Sequence, residues 1–272
     1  MTQYASVKDD FKQNLQTFVE DLQHHVSTEN RQRTVKGFID IFRNVYTISG
    51  DTKIVSKILE IHLFPKIVEF AAVHDYIIVL AEHQNYYPDV SFVSQRDERI
   101  KFALDFKTTY RLPDKPHLCN GFTLGSHGEY FINRSSRKNI QFPYSHYMGH
   151  FCLGIIYSRY NSDETRVYAL DDLQAITSVI GDFQVFVAEK WEIASDSSGS
   201  GNTANIGSTK VIDDLVHGRG VFKLLGENWF DDYWCNYGKI TVLNETGQVK
   251  KIRSLKDFLA YRGYGTPSEA SQ

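Results

Sequence analysis

Two aspartates and a lysine are the residues whose types and spacing most directly suggest chemistry. Asp89 follows Pro88, and sixteen positions after Asp89 comes the run Asp105-Phe106-Lys107. Alternate residues of a β-strand point to the same face, so Asp105 and Lys107 share one face while Phe106 enters the core on the other. Asp89 directly precedes a second predicted strand, 90–93, and a hairpin between the two strands would bring Asp89 towards Asp105.

This arrangement suits hydrolysis of a phosphodiester. Two carboxylates close to each other repel unless a cation lies between them. Mg²⁺ prefers such oxygen ligands, keeps several waters and accepts a phosphate oxygen as a further ligand. A lysine beside the metal would stabilise negative charge on the phosphate or help to deprotonate an attacking water. The alternative is a solvated ion pair on an exposed strand, with Pro88-Asp89 as an ordinary turn.

Glu60 is a third acidic candidate. It falls among the apolar positions of a predicted helix rather than on a clearly polar face; these positions are Ile58, Leu59, Ile61 and Leu63. A charge buried there should be paired or linked to a metal. The alternative is an exposed helical glutamate.

A polar segment, 199–208, could read DNA bases. Its sequence is Gly-Ser-Gly-Asn-Thr-Ala-Asn-Ile-Gly-Ser. Glycines let a backbone approach a ligand closely, asparagine can bond to adenine in the major groove, and threonine can pack on a thymine methyl. Composition alone favours a flexible Gly/Ser loop. Gly199, Gly201 and Ala204 also match a dinucleotide-binding pattern, which we discount because no convincing amphipathic helix begins there.

Two further polar segments are weaker candidates for contacts with DNA. Gln84 and Asn85 lie just upstream of Asp89 and could read base edges, or could simply solvate a turn. The basic run Arg134, Arg137 and Lys138 could neutralise phosphates, although most such runs are solvated surface.

The elements that must position these residues are readable from apolar spacing. Residues 4–26 show the spacing of a helix with one apolar face. After a mixed stretch, 27–50, Asp51 is a plausible N-cap for a second helix, which Pro65 should kink or interrupt. Strands are predicted at 76–80, 90–93, 100–110, 151–160 and 184–193, and helical pieces around 211–216, 229–237 and 255–261. The sequence therefore predicts a mixed α/β protein with one main sheet.

Composition excludes several classes of protein. The chain has 272 residues, of which 23% are charged and 42% hydrophobic, with a formal net charge of −3. This is ordinary globular composition, and it argues against a binder held to nucleic acid by bulk charge. The sequence has neither a long apolar run nor a secretion signal, which predicts a cytoplasmic protein with no membrane association. Cys119, Cys152 and Cys235 are expected to be reduced thiols.

Taken together, these motifs resemble the type II restriction endonucleases of the EcoRV type, within the Pro-Asp…Asp-x-Lys (PD-(D/E)xK) nuclease superfamily. The resemblance runs from about 49 to 263, and its most specific part is the long match in 199–208. The matching stretches are 51–53 leading to Glu60 and Pro65, then 84–89, 103–110, 122–125, 138–140, 190–191 and 199–208. Ala204, His83 and Asn244 depart from the pattern of the family.

The resemblance implies a homodimer that binds Mg²⁺ and cuts duplex DNA at the palindrome GATATC between the central T and A, leaving blunt ends with 5′-phosphates. It implies that Asp89 and Asp105 ligate the metal, with Glu60 as an auxiliary acid and further metal ligand, and with Lys107 assisting at the scissile phosphate or the attacking water. A major-groove loop would comprise Gly199, Ser200, Gly201, Asn202, Thr203 and Asn205. Gln84 and Asn85 would lie in a minor-groove loop, and backbone contacts are implied for Thr52, Lys53, Thr108, Thr109, Lys138 and Lys239.

The resemblance also implies one restriction-endonuclease domain over 1–272, with a mixed central sheet flanked by helices. Its parts would be an N-terminal helical dimerisation subdomain (about 1–50), a catalytic and DNA-recognition core (about 51–210) and a C-terminal helical DNA-binding part (about 211–272). A companion DNA methyltransferase is expected in the host, but not as a stable subunit. The alternatives are a sequence-specific DNA-binding protein without cleavage, and a related nuclease that selects junctions or damaged DNA by shape.

Overall fold

A computed structural model describes residues 2–29, 33–83, 85–160, 166–199, 204–243 and 247–271. Within these ranges the helices are α1 (Thr2–Val26), α2 (Thr52–Val73), α3 (Glu129–Ile132), α4 (Ile212–Val216), α5 (Glu227–Asn236), α6 (Leu255–Tyr261) and α7 (Pro267–Ala270). The strands are β1 (Gly37–Ile39), β2 (Asn44–Thr47), β3 (Tyr76–Leu80), β4 (Val90–Ser94), β5 (Lys101–Leu112), β6 (Lys115–Cys119), β7 (Thr123–Ser126), β8 (Gly149–Arg159), β9 (Val167–Ala169), β10 (Ile180–Glu189), β11 (Ala194–Ser198), β12 (Asn205–Ser208), β13 (Thr241–Leu243) and β14 (Val249–Lys251).

The main sheet is mixed and has the order β10-β8-β5-β4-β3, with β6 paired to β5. Strands β5 and β8 are parallel, and the other neighbours on this path are antiparallel. The described residues also form three smaller sheets: β1-β2-β9, β11-β12-β7 and β13-β14. The prediction of a mixed α/β fold with one main sheet flanked by helices is confirmed.

Helices α1 and α2 cover one face of the main sheet. The apolar face predicted for α1 is buried there, and the Phe11 ring stacks on the Phe102 ring of β5 with centroids 4.0 Å apart. The opposite face packs against β7, β12 and the C-terminal helices around the buried Trp234. Because successive residues of β5 alternate between these two cores, Leu104 points towards α1 and α2 while Asp105 points towards the C-terminal side.

Helix α2 starts at the predicted N-cap and continues through Pro65 without interruption. The side chain of Asp51 accepts hydrogen bonds from the backbone N–H groups of Lys53 and Ile54. The prediction that Pro65 interrupts the helix is wrong, because α2 runs unbroken to Val73. Buried residues on both sides of the proline, Leu63 and Ile67 among them, anchor both halves of the helix to the same core.

Three other predictions need adjustment. The mixed stretch 27–50 contains β1 and β2, so the N-terminal part is not only helical. The strand predicted at 184–193 is β10, which ends at Glu189 and is followed by a 3₁₀ turn at Lys190–Glu192. The C-terminal part adds the hairpin β13-β14 to its helices. The three cysteines are free thiols, and no described helix has the length and apolar character to cross a bilayer.

Candidate active site

The sheet brings Asp89 and Asp105 together, as the spacing predicted. Strands β4 and β5 pair antiparallel, with Val90 opposite Leu104, so Asp89 lies at the end of β4 beside Asp105. Two backbone donors fix the pair: the N–H of Phe106 donates to Asp89 Oδ2 at 2.7 Å, and the N–H of Asp89 donates to Asp105 Oδ1 at 3.3 Å.

Lys107 completes a compact group of three charged side chains. It lies two residues after Asp105 on the same face of β5, and its Nζ is 2.7 Å from Asp105 Oδ2. The Lys107 and Asp105 side chains are 20% and 11% exposed. The pair is therefore largely buried, unlike the solvated ion pair that was the alternative interpretation.

The surroundings shift the proton affinities of this group. Burial, and then the charge of Asp105, raises the pKa of Asp89 to about 7, although Lys107 and the Phe106 N–H act in the opposite direction. Burial acts to lower the pKa of Lys107, but the charges of Asp105 and Asp89 outweigh it and hold that pKa above its usual range. The group thus combines a carboxyl that resists losing its proton with an amine that keeps its positive charge.

Glu60 stands apart from the two aspartates. Its carboxylate, 34% exposed, accepts a hydrogen bond from Lys57 Nζ at 2.6 Å along α2. It acts on the site through space, since its charge contributes to raising the pKa of Asp89. Among the described residues no three His, Cys, Asp or Glu side chains converge as a set of metal ligands. The structure therefore forms a two-carboxylate site with a third acid at a distance.

The donor set of this site fits a hard divalent cation. Two adjacent carboxylates supply the oxygen ligands that Mg²⁺ prefers, and two such ligands leave positions for water and phosphate. The raised pKa of Asp89 shows that ionising both acids is costly in this environment, and a bound cation would offset that cost.

The described ends of the segment predicted to read bases lie at a small sheet on the same side of the main sheet. Strand β12 lies between β11 and β7, and the N–H of Gly199 donates to the carbonyl of Asn205 at 2.8 Å. The carbonyl of Ala204 accepts from the N–H of His127 and the hydroxyl of Ser126. The backbone at Ala204 is therefore restrained although this residue has no hydroxyl. Ser200, Gly201, Asn202 and Thr203 lie outside the described residues.

The other predicted DNA contacts lie in different surroundings. Asn85, Lys53 and Lys138 are exposed, Thr52 and Thr108 are half-buried, and Lys239 is exposed with its Nζ donating to the Cys235 carbonyl. Thr109 is only 3% exposed, so its side chain lies in the core and not on a surface that DNA could touch. Gln84 and Asn244 lie outside the described residues.

One member of the basic run is also used internally. Arg134 forms an ion pair with Asp231 at 2.7 Å, and its guanidinium lies over the rings of Phe131 and Tyr144. The suggestion that it neutralises phosphate is not supported by this placement, because the guanidinium is already paired and stacked.

A second buried cation, Lys190, lies nearby, and the sequence by itself assigned it no function. Two signals pointed to it: the match of 190–191 to the family pattern, and its position at the end of an apolar strand, where a lysine is unusual.

Comparison with known proteins agrees with this geometry. Residues 29–263 match the sequence model of the family described as restriction endonuclease EcoRV. The chain belongs to the EcoRV restriction endonuclease family. It is 33% identical over 246 residues to the type II restriction enzyme EcoRV of Escherichia coli, an alignment that covers 89% of this chain and 97% of that enzyme.

Membership of the EcoRV family establishes the class of activity. The chain is a type II restriction endonuclease, a hydrolase that cleaves the phosphodiester bonds of DNA, and restriction endonucleases of this family use divalent metal ions. The two alternative functions, binding without cleavage and junction processing, are thereby set aside. The EcoRV family match begins at residue 29, so helix α1 lies outside it even though α1 packs in the core.

Proposed function

We propose that this chain is a Mg²⁺-dependent endonuclease that cuts the palindrome GATATC between its central T and A, leaving blunt ends with 5′-phosphates. The observation that carries the catalytic part is the buried group Asp89, Asp105 and Lys107. The sequence of 199–208 supports the recognition part, because its asparagines and threonine suit adenine and thymine edges in the major groove.

In this proposal Asp89 and Asp105 hold Mg²⁺, and Glu60 is an auxiliary acid that adds negative charge from α2. When bound, Mg²⁺ supplies Lewis-acid stabilisation of the phosphate and lowers the pKa of a coordinated water. The chain holds the two carboxylates in place before the metal binds. The N–H of Phe106 donates to the Asp89 carboxylate, and the N–H of Asp89 donates to the Asp105 carboxylate. This preorganisation lowers the cost of assembling the site for each catalytic cycle.

Lys107 supplies positive charge where negative charge develops on the scissile phosphate. Its amine is held by Asp105 at 2.7 Å, so it points into the site without DNA being present. The raised pKa of Lys107 supports electrostatic stabilisation, because an amine that stays protonated donates hydrogen bonds and does not accept a proton from water.

DNA recognition is assigned to the loops around this group. Gly199, Ser200, Gly201, Asn202, Thr203 and Asn205 would contact the major groove, and Gln84 and Asn85 the minor groove. Thr52, Lys53, Thr108, Lys138 and Lys239 would contact the backbone. Thr109 would support the strand from inside instead of touching DNA, since it is buried. A central TA step unstacks easily, so bending there would bring the scissile phosphate to the acids.

The proposed enzyme is a homodimer, because a twofold site is read most simply by two identical subunits that each cut one strand. The N-terminal part, about 1–50, would provide the dimer contact, 51–210 the catalytic and recognition core, and 211–272 further DNA contacts. The β1-β2 hairpin supports this division, since Phe38 and Ile39 of β1 and Ile41 and Phe42 of the following turn are all more than half exposed. A host methyltransferase modifying the same sequence would protect the genome without being a subunit.

The test is digestion of a plasmid that carries a single GATATC, with Mg²⁺ and in parallel with a chelator, followed by sequencing of the ends. We expect one blunt cut at the centre of the site, seen only with the metal. Asp89→Ala and Lys107→Ala should abolish cutting, by about a hundredfold or more, while both variants still fold. Cutting at another sequence would contradict the proposed specificity, and full activity of either variant would contradict the proposed catalytic group.

A further inference from the structure

Lys190 places a primary amine in the protein interior beside the catalytic group. The residue is 4% exposed, and its Nζ has no hydrogen-bond partner among the described residues. The amine lies instead among aromatic rings, 5.2 Å from the ring centre of Tyr87, 5.3 Å from that of Phe131 and 5.6 Å from that of Tyr144. An unpartnered buried amine destabilises a fold, so its presence calls for a functional reason.

The chain holds this amine inward by fixing the residues on both sides of it. Lys190 begins the 3₁₀ turn that follows β10, between the buried Glu189 and Glu192. Lys8 of α1 pairs with Glu189 at 2.7 Å, and Lys12 pairs with Glu192 at 2.7 Å. These two ion pairs anchor the turn that carries Lys190 to α1.

The rings of Tyr87, Phe131 and Tyr144, which we call the aromatic cage, connect Lys190 to the segment that carries Asp89. Tyr87 precedes Asp89 by two residues, and its backbone is bonded on both sides: its N–H donates to the Asn139 carbonyl and its carbonyl accepts from the N–H of Gln141. Its hydroxyl lies 3.0 Å from His150 Nδ1. Both the backbone and the ring of Tyr87 are therefore held in place, two residues before Asp89.

The same amine lies against the strand that supports the recognition loop. A Cβ added to Gly125 of β7 would lie 3.4 Å from Lys190 Nζ and 3.0 Å from the Tyr130 hydroxyl. Gly125 also has a φ of +88°, a conformation that glycine adopts without strain. Strand β7 pairs with β12. Lys190 therefore lies against both the segment 87–89, which carries Asp89, and the sheet β11-β12-β7, which we call the recognition sheet.

We propose that Lys190 is a positioning residue of the endonuclease. Its caged amine holds the Tyr87 ring, and through it fixes the position of segment 87–89, which carries Asp89, relative to the sheet β11-β12-β7. Lys190 touches neither DNA nor the reacting atoms and acts through Tyr87 by a cation–π contact. Burial lowers the pKa of Lys190 to about 7, while the charge of Asp105 favours the protonated form. The proposal rests on the proposed catalytic role of Asp89.

The test compares Lys190→Met with the parent protein in three measurements: thermal unfolding, DNA binding in chelator, and single-turnover cleavage with Mg²⁺. Methionine keeps the length of the side chain and removes the unpartnered polar group. We expect an unchanged or higher Tm, DNA affinity within about twofold, and cleavage slowed about tenfold or more. A merely structural lysine would instead lower Tm, and unchanged cleavage by a folded variant would overturn the proposal.

Lys66→Met is the matched control, because Lys66 pairs with Glu69 on the surface of α2, away from the site. Cleavage is measured at whichever sequence the parent protein cuts, so an error in the proposed GATATC specificity does not affect this result.

A second pair of variants keeps Lys190 and tests the ring. Tyr87→Phe retains the aromatic face under the amine and loses only the bond to His150, whereas Tyr87→Leu removes the face. We expect Tyr87→Leu to slow cleavage as much as Lys190→Met does, and Tyr87→Phe to slow it clearly less. The double variant Lys190→Met/Tyr87→Leu should be no slower than either single variant, because both changes break the same contact. Equal losses for the two tyrosine variants, or additive losses in the double variant, would refute the contact.

Discussion

At the scale of single residues, the site is a small and largely buried charge cluster. Asp89 and Asp105 are held together by backbone donors, and one lysine partly compensates their charge. The spacing of Asp89, Asp105 and Lys107 along two strands was enough to predict this group. The caged Lys190 and the stacked Arg134 were not predictable, because their partners come from distant parts of the chain.

The raised pKa of Asp89 predicts how stability depends on pH. The folded protein keeps this proton up to about pH 7, whereas an unperturbed aspartate releases it near 3.8. Folding therefore becomes less favourable as pH rises between these values. Asp89→Asn removes this penalty, and we expect it to raise the free energy of unfolding of the metal-free protein by about 1–3 kcal/mol at pH 8 and by little at pH 4.

Thermal unfolding in chelator at the two pH values measures this effect. Asp97→Asn is the control, because Arg99 holds the pKa of Asp97 low, at about 2, and neutralising it should not stabilise the protein. Destabilisation of Asp89→Asn at pH 8 would contradict the assigned direction of the pKa shift.

At the scale of elements, α2 shows tertiary packing overriding a local signal. Pro65 cannot donate a backbone hydrogen bond and crowds the preceding turn, yet the helix continues because Leu63 and Ile67 are fully buried. The periodicity of its apolar residues predicted the helix correctly on both sides of Pro65, and the interruption that the proline suggested does not occur. The burial of the second half outweighs the local cost, and this balance is not visible in a sequence window.

Pro65 is exposed, so replacing it should remove the destabilisation that proline causes inside the helix without disturbing the core. We expect Pro65→Ala to raise the free energy of unfolding by about 1–2 kcal/mol, since alanine restores the donor and removes the steric clash, partly offset by a more flexible unfolded chain. Denaturant unfolding measures the change. Ile61→Ala, at a 62% exposed position of the same helix, should stay within about 0.5 kcal/mol. A loss of stability in Pro65→Ala would mean that the proline fits a bend that the core requires.

At the scale of the whole molecule, the main sheet separates two cores with different tasks. The core on one side joins α1 and α2 to the sheet, and the core on the other side joins the catalytic strand to the recognition sheet and the C-terminal helices. The β1-β2 hairpin carries exposed apolar residues outside both cores, and in its turn Ile41 is 90% and Phe42 78% exposed. Such a patch suits an interface between protein subunits.

We expect Phe42→Asp to convert the proposed dimer into a monomer, because a buried unpaired charge at the contact is costly. The monomer should nick supercoiled plasmid slowly instead of linearising it in one binding event. Light scattering gives the mass, and gel analysis of the products gives the cutting mode. Val73→Asp, a 76% exposed position at the end of α2, is the control and should remain dimeric. A dimeric Phe42→Asp protein would place the interface elsewhere.

The sequence by itself determined the main features that depend on local order: the helical face of α1, the strands that carry Asp89 and Asp105, and the motif that indicates a DNA-cutting enzyme. The helix and the strands follow from periodicity and spacing, which are properties of neighbouring residues, whereas the DNA-cutting activity follows from the resemblance of the motifs to the EcoRV family. Only the tertiary structure decided that Glu60 stands apart from the pair, that Thr109 and Arg134 are used internally, and that Lys190 enters an aromatic cage. Each of these depends on residues that are far apart in the sequence and become neighbours only in the folded protein. Burial and electrostatic interactions depend on these spatial neighbours and not on distance along the chain.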